Sequence, residues 1–400
     1  MLARILNATL LLLIPFMLFA QSSANQDAED SAKDIPDVFQ HFFRSHAAHV
    51  DSSSVRHHIH LGILPAVGYT LQTGFALLAS ANMIIYKRRK QDTLFPSTFL
   101  AGISYTQYNQ VIVPVQSVFY FKHNRALLIS DWRYLEYPSF TYGLGMHTSP
   151  ADQDPLYFQY FKFHESILFP LAPNIYAGGG YHLDYFWGVR ELRPHLNPVT
   201  GFEKYGYTNQ SISSGLSLHI LRDTRDNPIN AYSGTYANIA VDPRFKFLGS
   251  DANWNAMHVE WRGYFRFPSQ SPNIFALWSY NWFTLSGKPP YLMLPSTGWD
   301  KAYNTGRGYI QGRFRSNNMI DAESEYRVRL TSNGLLGMTL FGSLQSFSEI
   351  NTWRFESVAP AGGLGLRIKL NKYSRTNIAI DYGWGRQGSR GFFVNLGEVF

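Results

Sequence analysis

The sequence contains no cysteine. That excludes disulfides, a thiol nucleophile and any thiolate-held metal or iron–sulfur centre. Charge is also scarce. Asp, Glu, Lys and Arg make up 16% of the 400 residues, against roughly a quarter in soluble domains. Beyond the N-terminal segment no uncharged apolar run approaches the ~20 residues a spanning helix needs. The mean hydropathy of -0.19 is likewise too polar for a bundle of membrane helices. The net charge is +7, but Lys and Arg are spread along the chain rather than blocked. The balance suits contact with anionic lipid and makes no nucleic-acid footprint. Ser, His and Asp are all present, yet no spacing assembles them into a hydrolase. No catalytic residue, cofactor or metal is expected, and the chain reads as a non-enzyme.

Aromatics are plentiful: 25 Tyr, 30 Phe and 9 Trp. Arg4 precedes an apolar run from Ala8 to Ala20, followed by small residues. This predicts a secretory signal peptide over 1–24, cut after Ala20 or Ala24. Residues 25–58 then predict a short periplasmic segment with one amphipathic helix over 35–50. Six of the 13 histidines fall between His41 and His60. No HExxH and no paired carboxylate accompanies them, so they read as linker histidines rather than metal ligands.

From residue 59 onward the pattern has a period of two. Asp321, Glu323, Glu325, Arg327 and Arg329 alternate with Ile320, Ala322, Tyr326, Val328 and Leu330. His258, Glu260, Arg262, Tyr264 and Arg266 alternate in the same way with Met257, Val259, Trp261, Phe265 and Phe267. Period two means strands. Sixteen are predicted, near 59–70, 73–87, 96–109, 111–123, 126–137, 155–170, 173–189, 210–225, 233–247, 253–268, 272–286, 319–331, 334–346, 357–370, 375–386 and 391–400. These segments are longer than the ~5–6 residues of typical soluble strands. Aromatics such as Trp254, Trp282 and Phe283 sit near their ends, as in interfacial girdles. Short turns near 269–271, 332–333 and 371–374 alternate with longer loops near 190–209, 287–318 and 347–356. Together these predict an all-β fold: a 16-stranded antiparallel transmembrane β-barrel over 59–400, apolar towards lipid and charged towards the lumen. Closure leaves no strand edge in the hydrocarbon.

Three segments resemble the BamA/TamA-type outer-membrane protein assembly superfamily. Asp223-Thr224-Arg225-Asp226-Asn227-Pro228 with Gly234-Thr235-Tyr236 is similar to that family's D-x-R-D-N-P turn and later G-x-Y, with Ala231 where a second proline is usual. Arg307-Gly308-Tyr309 with Gly312-Arg313 and Glu325-Tyr326-Arg327 is similar to its R-G-F/Y loop and the E-Y-R of the following strand. The terminus Val394-Asn395-Leu396-Gly397-Glu398-Val399-Phe400 resembles the assembly signal of such barrels. The resemblance implies that the long loop 287–318 folds back into the lumen and that Arg307 pairs with an inward acid. The family's usual acidic position is Gly342-Ser343 here, so Asp321, Glu323 and Glu325 become the candidate partners. Val394, Leu396, Gly397 and Phe400 would form the assembly signal. The stretch 25–58 is too short for a polypeptide-transport-associated domain, so the implied member lacks them.

Two functions from different classes follow. One is a barrel that moves or remodels a substrate at the outer membrane, using the seam between its first and last strands and the Arg307 loop. The other is a passive pore or structural barrel plugged by its own loop. A barrel enzyme is disfavoured for want of a catalytic constellation. Expected partners are outer-membrane lipid and lipopolysaccharide, with the barrel-assembly machinery or a separate periplasmic protein; nucleic acid is not among them.

Overall fold

The structure is a computed structural model that describes residues 33–35, 59–85, 97–121, 124–192, 200–206, 208–355, 357–372 and 374–400. The expected signal peptide and, save Ile35, the expected helix over 35–50 lie outside the described residues. The strands are β1 Ile59–Thr70, β2 Gly74–Ile85, β3 Ser97–Thr106, β4 Val111–Phe121, β5 Ala126–Thr141, β6 Asp154–Ala172, β7 Ile175–Glu191 and β8 Ser211–Asp223. They continue as β9 Gly234–Arg244, β10 Trp254–Arg266, β11 Ile274–Gly287, β12 Asn318–Arg329, β13 Leu336–Phe347, β14 Ala359–Asn371, β15 Thr376–Gly385 and β16 Arg390–Leu396. One 16-stranded sheet runs in sequence order, each strand antiparallel to the next.

Alternation sets which face each residue takes. On β12, Asp321, Glu323 and Glu325 are buried inside, while Ile320 is exposed outside. On β10, Glu260 is buried and Trp261 faces out. Leu218, Ile220, Ile239, Phe275, Leu340 and Leu364 extend the outward apolar band. One barrel end carries the short connections 173–174, 267–273 and 330–335, and the other carries the long ones 142–153, 192–210 and 288–317 together with the tight turns 71–73 and 107–110. Lys33 N–H bonds Asn333 O at 3.1 Å and Lys372 N–H bonds Asp34 Oδ2 at 3.1 Å, which brings the pre-barrel segment to the short-connection end.

The last strand departs from the expectation. β16 ends at Leu396, not at residue 400. Gly397 takes φ +99°, a conformation glycine adopts without strain, while its N–H still reaches Asn377 O at 2.7 Å. The chain then turns inward. Val399 and Phe400 are buried, and the Phe400 ring lies 5.2 Å from that of Trp278.

No backbone pairing joins β1 to β16 among the described residues. The two strands are nonetheless side by side. A Cβ on Gly68 would stand 3.7 Å from Val394 O, and one on Gly391 would strike Leu71 Cδ2 at 2.1 Å. The sheet is thus a nearly closed cylinder with an unlaced seam.

Candidate functional site: the lumen loop and its ionic anchor

The connection 288–317 enters the barrel, and Tyr291, Leu294, Tyr309 and Phe314 are buried there. A loop of this length in a compact protein is typically functional. Its backbone passes close to the wall where the wall has no side chains. A Cβ on Gly383 would come within 2.9 Å of Gly308 Cα, and one on Gly385 within 2.6 Å of the Tyr309 ring. Gly308 itself takes φ +106° with Trp384 O about its missing Cβ. Tyr309 Oη donates to Pro360 O at 2.7 Å and accepts from Arg386 N–H at 2.9 Å.

Arg307 is 2% exposed and is the centre of the anchor. Its Nη2 lies 2.7 Å from Glu325 Oε1 and 3.3 Å from Glu323 Oε2, and its Nη1 lies 2.9 Å from Asp381 Oδ2. Gly306 N–H adds a bond to Glu323 Oε1 at 2.9 Å. The guanidinium also stacks 4.0 Å from the Phe341 ring centre. Burial disfavours its charge, but Glu325, Glu323 and Asp381 outweigh that and hold its pKa above the usual value.

The three candidate acids therefore divide. Glu323 and Glu325 meet Arg307, while Asp321, buried on the same face, has no ion pair among the described residues. Asp381 of β15 was not singled out from the sequence. Its signal was the parity of β15, which sends Asn377, Ala379 and Asp381 inward and Ile378 and Ile380 outward. Arg367 of β14 and Glu398 of the tail were also missed. Arg367 Nε lies 2.7 Å from Glu398 Oε2, and Arg367 bonds Asp381 as well. Arg327 Nε lies 2.7 Å from Glu325 Oε2, and its Nη2 donates to Phe400 O at 2.8 Å. One network thus ties the loop, β12, β14, β15 and the inward-turned C-terminus.

The other loop arginines are held without acids. Arg313 donates to Thr148 Oγ1 at 2.8 Å and Thr148 O at 2.6 Å. Arg315 donates to Tyr291 O at 3.1 Å and Leu294 O at 3.4 Å, and lies over the Tyr291 ring.

The Asp223–Gly234 motif forms the floor at the short-connection end. Arg225 makes a fork on Asp223 at 2.9 and 2.7 Å. Asn227 Oδ1 accepts from Ile229 and Asn230 N–H at 2.8 and 2.9 Å, while Asp226 Oδ1 accepts from Tyr232 N–H at 2.8 Å. These self-caps explain why Asp and Asn occupy the turn. Pro228 O accepts from Arg225 Nη1 at 3.2 Å. Gly234, at φ +94°, leaves room for Thr224 O, which a Cβ would meet at 2.2 Å. The turn also reaches the far wall, with Asp226 Oδ2 2.6 Å from Arg375 Nη1 and Asn230 Nδ2 3.4 Å from Glu398 Oε1.

In the terminal motif, Val394 and Leu396 pair with Ile380 and Ile378 on β15, but Phe400 points to the lumen rather than outward. Gly397 supplies the bend, and the polar grip of Arg327 and Arg367 on Glu398 and Phe400 draws the tail inward.

No protein-family model and no curated protein matches the chain by sequence. Solved structures do match by shape. BamA from Haemophilus ducreyi lacking POTRA domains 1-3 superposes with a TM-score of 0.55 at 14% identity, over 85% of this chain and 75% of that one. CdiB from Escherichia coli gives 0.53 at 8% identity, over 85% and 67%. CdiB from Acinetobacter baumannii gives 0.50 at 11% identity, over 85% and 65%. With its strands in unbroken antiparallel order, the chain has the 16-stranded barrel fold of BamA and CdiB.

Proposed function

We propose that the chain is an integral outer-membrane barrel that moves or remodels a substrate at that membrane, as an assembly or translocation component. The observation that carries this reading is the seam. Among the described residues β1 and β16 lie beside each other without a backbone ladder, while the loop anchor grips β12, β14 and β15 nearby. An unpaired edge is a template for an incoming strand. Every other neighbouring pair in the barrel is laddered, so the seam is where the wall can part with no ladder to break. The fold shared with BamA and CdiB supports the reading, and its partners would be outer-membrane lipid, lipopolysaccharide and a periplasmic or assembly-machinery protein. No catalytic step is assigned to the chain.

The test is a cysteine pair at Gly68 and Asn395, which both face the lumen on either side of the seam and which the cysteine-free sequence makes unambiguous. Oxidation should block function in cells and reduction should restore it. Full activity with the seam locked overturns the reading. The density of the loop's contacts favours a second reading, a barrel plugged as a structural element. Planar-bilayer conductance before and after deleting 290–316 separates plug from open pore.

A further inference from the structure

Beside the loop anchor the lumen holds a second feature, a cavity of about 130 Å³. Its wall is the inner face of β5 to β11, and its lid is Leu292, Met293, Trp299, Asp300, Lys301 and Tyr303 of the loop. Its acids are all engaged. Asp131 meets Arg133 and Lys162 at 2.7 Å each. Asp184 meets His164 and Arg244 Nη2 at 3.0 Å each and Tyr160 Oη at 2.6 Å. Asp242 meets His182 at 3.0 Å and His258 at 3.4 Å. Glu260 is held by Arg262 and by Trp278 Nε1, and Asp300 by the backbone N–H of Ala302, Asn304 and Thr305.

The donors are not all engaged. Arg244 Nε and Nη1 and the indole Nε1 of Trp254, Trp282 and Trp299 are buried in the lining without a hydrogen-bond partner. Among the described residues, the other buried side-chain atoms of the lining without a hydrogen bond, His182 Nδ1 and Asp242 Oδ1, stand 3.0 Å from each other. Arg244 and Trp254 are cross-strand neighbours, with the guanidinium 5.7 Å from the indole ring centre. Leaving a buried donor unpaired forfeits its hydration without replacing it, so such groups call for an occupant. Water suits this cavity poorly. A buried water wants 2–4 partners of both kinds, and the unpartnered Arg244 and indole groups offer it donors alone. A group that only accepts suits it well.

We propose that the cavity binds a small organic oxyanion, a carboxylate or phosphate on a body no larger than about one ring. The acid group would take one free N–H of Arg244, at Nε or Nη1, and the Trp254 indole N–H, and the ring would lie among Trp282, Trp299 and Tyr280. The volume of about 130 Å³ lies below the ~150 Å³ of a cavity that holds benzene, which caps the body at one ring. The inference stands apart from the translocation reading.

The test is calorimetric titration of the full-length purified barrel with benzoate, phenyl phosphate and inorganic phosphate, with benzyl alcohol as the neutral control. Benzoate or phenyl phosphate should bind with sub-millimolar Kd. Tighter binding of benzoate or of phenyl phosphate identifies which acid the site takes, and binding of inorganic phosphate alone would remove the ring from the proposal. Trp254→Phe keeps the ring and deletes one donor to the acid group, so it should weaken binding by about five- to tenfold, the loss of one hydrogen bond, while Trp299→Phe keeps its ring contact and should leave affinity nearly unchanged. Arg244→Met should abolish it, with heat-modifiability checked because Arg244 also braces Asp184. No oxyanion binding, equal binding of benzyl alcohol, or unchanged affinity in Trp254→Phe overturns the proposal.

Discussion

At the residue scale, Arg307 decides whether the loop stays inside. Removing it leaves Glu323, Glu325 and Asp381 facing one another in the lumen, with Arg327 and Arg367 as the remaining counter-charges. Breaking one partner of a buried pair costs about 3–5 kcal/mol. Arg307→Ala should therefore release the loop, read as faster proteolysis within 288–317 and a lower unfolding temperature. Equal protease resistance would mean that Tyr309 and the glycine notch suffice. Gly383 makes the converse point. Its missing Cβ is the space Gly308 occupies, so Gly383→Val should loosen the loop as Arg307→Ala does while leaving every charge in place.

At the element scale, the two faces of one strand carry different demands. Val259 on β10 faces outward beside Ile239. Val259→Arg should cost about 2–4 kcal/mol near the bilayer midplane, measured as lost heat-resistance of the folded band on an unboiled gel. A cost no larger than that of an exposed loop substitution would refute the facing assignment. The C-terminal element behaves differently from an ordinary last strand. Its final residues leave the sheet and are clamped by Arg327, Arg367 and Trp278. Deleting Phe400 should lower the yield of assembled barrel and also destabilise what does assemble, because Arg327 loses an acceptor. A lower yield with unchanged stability would assign the residue to assembly recognition alone.

At the scale of the whole molecule, the barrel should fractionate with the outer membrane and shift mobility on heating. Recovery as a soluble monomer would refute a lipid-facing exterior. The loop, the Asp223–Gly234 floor and the inward tail obstruct the lumen from both ends. Conductance of the intact chain should therefore be small and should rise on deleting 290–316; a large conductance in the intact chain would contradict the plug.

Strand count, strand facing and the loop's position in the chain were legible in the sequence, because a period of two is local and needs no partner to be seen. Asp321, Glu323 and Glu325 were placed inside by that parity alone. Which of them would meet Arg307 was not legible. The choice depends on how deep the loop descends, and the β15 glycines Gly383 and Gly385 set that depth from some 75 residues away, the span between Gly308 and Gly383. Asp381, Arg367 and Glu398 were hidden for the same reason, since each lies on a different strand or tail and only closure of the sheet brings them together. Phe400 shows the limit most plainly. Its alternation with Val394 and Leu396 reads as a strand to the last residue, and only the buried arginines across the lumen turn it inward. Local periodicity determined the barrel; long-range charge pairing across its interior decided what fills it.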